Sequence, residues 1–217
     1  MRSAAVAIAA TMALPTAGWA TFAANDLSCS IHAPAKPGLL ARCEGPFKGP
    51  GQSITIELHG AAPNKVQTVR LKFADQALPT QNIALKARPV IDLETVGVLF
   101  MDFNFDGFED LAVMRFLPAG ANVPYQVYLF DPKRGKFLGH EALSAITAPE
   151  VLADTKEIVS RWQDGAARSG RDLYRWTNGV LTLQERIEEM RSASDCQAKT
   201  YQNQGGNLVL KSKGACK

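Results

Sequence analysis

Apolar and polar positions alternate with period two along most of this chain, the pattern of strands that bury one face. Ser53-Ile54-Thr55-Ile56-Glu57-Leu58-His59 is the clearest run, and Val66 to Phe73 repeats it with Val69, Leu71 and Phe73 on one face. Val96 to Phe103 reads as a buried strand leading into an acidic loop, and Leu111 to Leu117 leads out of it. Tyr125 to Phe130, the turn Asp131-Pro132-Lys133-Arg134-Gly135 and Lys136-Phe137-Leu138 make a hairpin, because Pro and Gly supply the dihedrals a reversal needs. Glu157 to Gln163 and Asp172 to Trp176 flank a Gly/Ala/Ser-rich loop. Thr177-Asn178-Gly179 turns into Val180 to Gln184, and Tyr201 to Gln204 pairs with Asn207 to Lys211 around Gly205-Gly206. Gln184 to Arg191 has the best helical composition, with a strand continuing from Val180 as the competing reading. Pro149 to Thr155 reads as a short helix or a turn. The expected fold is mainly β, with antiparallel hairpins forming a β-sandwich or propeller-like assembly of sheets.

The ends of the chain add a compartment to this picture. Arg2, the uncharged run Ala4 to Leu14, and the small-x-small triplets Gly18-Trp19-Ala20 and Thr21-Phe22-Ala23 predict a signal peptide over 1–23. Its apolar run is too short to span a bilayer comfortably, so no stable membrane insertion is expected after cleavage. Pro- and Gly-rich stretches at Ala33 to Pro37 and Gly45 to Gly51 predict an N-terminal arm over 24–51, attached to a β domain over 52–217. Four cysteines fall in two local pairs, Cys29 with Cys43 and Cys196 with Cys216. Of the three possible connectivities the local one is the simplest in an oxidising compartment, and neither spacing suits zinc. The first bridge would tie the arm and the second the C-terminal end. The formal net charge of +3 is small and the basic residues are scattered. That argues against nucleic acid and leaves an acidic protein partner open.

One segment carries metal chemistry. In Asp102-Phe103-Asn104-Phe105-Asp106-Gly107-Phe108-Glu109-Asp110, oxygen-bearing side chains stand at positions one, three, five and nine, with glycine at six. With the Phe108 carbonyl at seven, Asp102, Asn104, Asp106, Phe108 and Asp110 make an oxygen-only set suited to Ca2+. Position twelve is Val113 and the flanks are strands, so this is not an EF-hand, and Asp110 would supply the closing carboxylate. The alternative is an Asp/Asn/Gly turn without metal, but three acidic groups this close repel unless a cation compensates. His32, His59 and His140 lie in no motif with a nucleophile and read as surface or strand residues. No Gly-x-Ser-x-Gly, phosphate loop or dinucleotide fingerprint is present.

The second unusual segment runs from Asp164 to Trp176, where small residues precede Ser169-Gly170-Arg171 and Tyr174. It reads either as a hairpin loop with ordinary core aromatics or as a protruding recognition loop, since Arg and Tyr are favoured interface anchors. Together, the export signal, the loop 102–110 and Ser169-Gly170-Arg171 with Tyr174 resemble the calcium-binding periplasmic lysozyme inhibitors. Those serve as immunity proteins against peptidoglycan hydrolases delivered by an antibacterial type IV secretion system. The resemblance covers roughly Val90 to Gln184. It implies a periplasmic binding protein, not an enzyme, whose partner is a lysozyme-like peptidoglycan hydrolase effector. Ser169, Gly170, Arg171 and Tyr174 would then enter the substrate cleft, with Arg171 pairing to the catalytic carboxylate and Tyr174 filling a sugar subsite or bracing the loop. A calcium-stabilised β module for adhesion or glycan binding is the competing reading, and a hydrolase in its own right is the third.

Overall fold

The computed structural model describes residues 27–32, 36–61, 65–85 and 97–216. The expected signal peptide lies outside them. The described chain is built from three antiparallel meanders. The first sheet holds β1 (Ser28–Ile31), β2 (Gly38–Pro46), β3 (Ser53–Ala61), β4 (Lys65–Phe73) and β5 (Gln81–Ala84) in chain order. The second holds β6 (Val98–Met101), β7 (Asp110–Met114), β8 (Tyr125–Asp131) and β9 (Lys136–Gly139). A four-residue helix, α1 (Glu141–Ser144), which the periodicity did not announce, leads to the third sheet. That sheet holds β10 (Pro149–Leu152), β11 (Glu157–Asp164), β12 (Arg168–Thr177), β13 (Val180–Arg191), β14 (Cys196–Gln204) and β15 (Asn207–Ala215). Among the described residues no helix is long and apolar enough to cross a membrane.

The second sheet is the middle layer, and the alternation of its side chains explains why. Val98, Phe100, Leu111, Val113 and Phe130 point into a core shared with Leu40, Ile56, Leu58, Val69 and Leu71 of the first sheet. The intervening residues Ala112, Met114, Tyr125 and Val127 point the other way, into a core shared with Leu143, Ile146 and Ile158. Every residue of β7 is buried, as a strand covered on both faces must be. The architecture is thus a β-sandwich extended by a third layer.

Two expectations are corrected here and one open pair of readings is resolved. The stretch 24–51 is tied by the Cys29–Cys43 disulfide, but its second half belongs to the core and is not an arm outside it. Gly38–Pro46 forms β2, paired on both sides, with Leu40, Ala41, Cys43 and Phe47 buried. The Pro/Gly stretches mark the turns at its ends and say nothing about burial between them. Gln184 to Arg191 is strand, because cross-strand partners on β12 and β14 override its helical composition. Of Pro149 to Thr155, Pro149–Leu152 is an edge strand, its proline at the first position where a missing N–H is tolerated, and the turn follows it over 153–156.

The two disulfides join the expected pairs. Cys29 and Cys43 are direct register partners on β1 and β2. Cys196 and Cys216 close the last hairpin, where Cys216 N also donates to Cys196 O at 3.1 Å. Such loops, 14 and 20 residues apart, are worth about 3 kcal/mol each in the chain-entropy model.

Phe47, in the turn after β2, joins the first two layers. Its ring lies 5.4 Å from Phe73 of the first sheet, and 5.7, 5.3 and 5.8 Å from Phe100, Phe130 and Phe137 of the second. Truncating a buried aromatic of this kind costs roughly 3–5 kcal/mol. Phe47→Ala is therefore expected to lose that much in urea unfolding of the oxidised protein. A loss under about 1 kcal/mol would show that the two layers do not depend on this ring.

Candidate functional site

The loop between β6 and β7 reverses the chain with two residues in the left-handed region, Phe105 at φ 59° and Gly107 at φ 93°. A Cβ on Gly107 would meet nothing within 4 Å, so the backbone angle is what favours glycine there. The side-chain oxygens fold back onto the loop's own N–H groups. Asp102 Oδ1 and Asn104 Oδ1 both accept from Asp106 N at 3.1 Å, and Asp102 Oδ2 accepts from Gly107 N at 2.9 Å. Asp106 Oδ1 accepts from Phe108 N at 2.9 Å, and Asp106 Oδ2 accepts from Asn104 Nδ2 at 2.8 Å. These three side chains thus gather around one stretch of backbone.

Asp110 stands apart from them. It is fully buried, with Oδ2 accepting from Phe103 N and Oδ1 from Phe130 N, both at 2.8 Å. Burial pushes its carboxyl up to about 7, the two backbone N–H groups oppose that rise, and the charges of Asp106 and Asp102 add to it. The donor types of Asp102, Asn104, Asp106, Asp110 and the Phe108 carbonyl fit a hard cation such as calcium, being oxygen throughout. Position fits less completely. Among the described residues, the one group of three His, Cys, Asp or Glu with ligand atoms within 4.8 Å of one another is Glu189, Cys196 and Cys216. Its two sulfurs form a disulfide. The loop carboxylates are more widely set.

The loop also touches all three layers. Glu109 N donates to Lys48 O at 2.9 Å and Glu109 Oε2 accepts from Lys48 N at 2.8 Å, a two-way stitch to the first sheet. Phe108 packs against the first core, its ring 6.0 Å from Phe130. Phe103 is fully buried in the second core, and its carbonyl accepts from Trp176 Nε1 of β12 at 2.8 Å.

Ser169, Gly170, Arg171 and Tyr174 do not form a loop. They lie in β12, paired to β11 and β13, and the reversal is confined to the residues between Asp164 and Arg168. Alternation then divides them. Gly170 and Tyr174 share the face that Asp172 and Trp176 present to the second core, whereas Ser169 and Arg171 lie on the opposite face. Arg171 is paired there with Glu185 at 2.9 Å, close to the Arg175–Glu157 pair. Tyr174 is half-buried, its hydroxyl donating to Asp172 Oδ2 at 3.2 Å. Burial, followed by the Asp172 charge and that hydrogen bond, pushes its phenol up to about 12.

Composition hid the reason for Gly170. Its register partner on β11 is Trp162, whose ring lies across it: a Cβ would stand 2.3 Å from Trp162 Cζ2 and 2.6 Å from the Ile187 carbonyl oxygen. The guanidinium carbons of Arg168 and Arg186 sit 5.4 and 5.7 Å from the same ring, a cation–π arrangement. Arg186 also holds the buried Asp172 by Nε at 2.7 Å and Nη2 at 2.6 Å. Those groups wall a recess of about 440 Å3 beyond the edge of the second core, closed opposite by Asn122 and Thr147. A second recess of about 400 Å3 lies beside Arg171, Ser169 and Ile187. Trp162 lines both, and its indole N–H is buried without a hydrogen-bond partner among the described residues. Neither Trp162 nor Arg186 stood out in the sequence, because only strand register brings them to Gly170 and Asp172.

The sequence matches no protein-family model and no curated protein. The fold is similar to a solved structure of a Xanthomonas type IV secretion system related protein, with a TM-score of 0.54 and 18% identity over 85% of this chain and 99% of that one.

Two substitutions separate these contacts. Gly170→Ala forces Trp162 off the strand and is expected to cost about 1–3 kcal/mol, with a shift in tryptophan emission. Asp110→Ala orphans two buried N–H groups and is expected to cost roughly 2–5 kcal/mol. Melting temperatures within a degree of wild type for either variant would contradict the corresponding contact.

Proposed function

We propose that this protein is a periplasmic inhibitor, an immunity protein, that binds and blocks a lysozyme-like peptidoglycan hydrolase through the β11–β12 hairpin, and that the loop 102–110 holds a structural calcium ion. It acts by binding and not by turnover. The observation that carries the reading is the concentration of Arg161, Trp162, Arg168 and Arg171 toward the turn end of one hairpin, beside two recesses. Arg and Trp are the residues that dominate protein interfaces, and a strand pair presents them at little entropic cost. The type IV secretion relation of the structurally similar Xanthomonas protein supports it, and the two disulfides are compatible with an extracytoplasmic protein.

The roles divide along the two faces of β12. Arg171 is exposed enough to leave Glu185 for a carboxylate in a hydrolase cleft, where desolvation strengthens the new pair. Tyr174 braces the hairpin from the core side through Asp172. Calcium, when bound, would neutralise the repulsion among Asp102, Asp106 and Asp110. Its role is structural, since the loop links the layers that support β12 through the Trp176–Phe103 bond.

Two measurements test this. Calcium titrated into chelator-treated protein is expected to give a binding heat and raise the melting temperature, and Asp106→Ala to remove both; no heat with the wild type rejects the metal site. The purified protein is expected to lower peptidoglycan hydrolysis by its partner hydrolase, with Arg171→Ala weakening inhibition about 10-fold or more at unchanged melting temperature. Full inhibition by that variant rejects Arg171. Binding of glycans without any hydrolase would favour the adhesion or glycan-binding module instead, and peptidoglycan turnover by the protein alone would make it an enzyme.

A further inference from the structure

The charges of this chain are segregated by layer. Residues 27–85, which contain the first sheet, carry six Lys and Arg against three Asp and Glu. Residues 97–216 carry fourteen against fifteen. The positive surplus of the described residues is therefore confined to the first layer, the one farthest from the β11–β12 hairpin in the stack.

On that layer the surplus is organised by strand register. Ser30 pairs with Arg42, Arg42 with Glu57, Glu57 with Arg70, and Arg70 with Asn82, so one row of side chains crosses all five strands. The row lies on the outer face, because Cys43, Ile56, Leu58, Val69 and Leu71 fill the core on the other. Glu57 sits at its centre with a nearly buried carboxylate. Lys72 Nζ at 3.1 Å and Arg42 Nη1 at 3.6 Å face its Oε1, and His59 Nε2 at 3.4 Å and Arg70 Nη1 at 3.8 Å face its Oε2. Burial opposes ionisation of Glu57, but the hydrogen bonds and charges of these neighbours hold its carboxyl below the usual range.

One carboxylate requires one cation, and this one has three permanent ones plus an imidazole. Part of the excess is met by Glu44 on the same face, which accepts from Arg42 Nε and Nη2, while the Arg70 side chain makes no hydrogen bond among the described residues. Both guanidiniums and Lys72 remain 36–47% exposed. Arg42 and Arg70 are two strands apart, about 10 Å, and Glu57 between them holds them upright. The arrangement is a cross-strand row of cations with one counter-ion, Glu57, below the surface and a second, Glu44, at its edge.

We propose that this outer face is a second docking surface, which receives an acidic protein partner whose surface carboxylates bridge Arg42, Arg70 and Lys72 above Glu57. A spacing of about 10 Å between the guanidiniums suits carboxylates spread over a protein surface and exceeds the reach of one small anion. Charge complementarity selects the partner, and the distance from β12 leaves the hairpin free to act at the same time.

The test uses the full mature chain and a fluorescent octaglutamate peptide, read by anisotropy at low salt. Binding is expected, weakening as salt rises. Arg42→Ala with Arg70→Ala is expected to lose about tenfold or more in affinity, and Lys211→Ala with Lys213→Ala on β15 to leave it unchanged. Glu57→Gln removes the internal counter-charge, keeps shape, and is expected to tighten binding about threefold or more. If the double Arg variant unfolds, Glu57→Gln still reads this face, since a gain places the bound peptide beside Glu57. No binding, equal loss in the Lys211/Lys213 variant, no gain in Glu57→Gln, or tighter binding to phosphatidylglycerol vesicles than to the peptide would each overturn the proposal.

Discussion

The buried carboxylate of Asp110 is the joint on which the three layers depend. Its two oxygens accept from Phe103 N on one side and Phe130 N on the other, so one side chain fixes the start of the acidic loop and the middle strand β8 together. The cost of burying it is visible in a carboxyl pushed up to about 7. Such a group persists where its hydrogen bonds are all made and its removal would leave donors stranded. From this joint the loop reaches outward in both directions, through Glu109 to Lys48 of the first layer and through Phe103 to Trp176 of the third.

A middle sheet covered on both faces follows from the same alternation that predicts the strands. Val98 and Phe100 face one core, while Leu99 and Met101 face the other. Much of this was legible. Strict period-two runs such as Ser53 to His59 and Val66 to Phe73 are strands, the Pro/Gly and Asn-Gly turns are where the reversals fall, and the local cysteine pairs are bonded. These signals are local: a turn residue or a neighbouring cysteine acts within a few positions, so one chain suffices to read it.

What was not legible depends on register between distant strands. Leu40 and Ala41 sit between Pro/Gly stretches that read as linker, yet they are buried because β2 lies between β1 and β3. Glu185 to Arg191 has helix-forming composition, and only partners on both sides make it strand. The small residues before Arg171 read as a loop, whereas Gly170 is small because Trp162 fills its place. The parity of β12 sets Ser169 and Arg171 on one face and Gly170 and Tyr174 on the other. A linear motif carries no sign of which face each of its members occupies.

The two-faced division of β12 bears directly on how such a protein would hold a partner. A recognition group is useful only if it does not move when engaged, and Arg171 sits on a strand whose other face is anchored. Tyr174 and Trp176 face the second core, Asp172 is clamped by Arg186, and Trp176 reaches Phe103 beside the acidic loop. Packed side chains and one hydrogen bond therefore join the loop to the hairpin in one contiguous chain of contacts. A cation that stiffened the loop would act on Arg171 only along that path. It would lower the entropy lost on binding and leave the contacts of Arg171 unchanged, so its effect would fall on affinity and not on which partner is chosen.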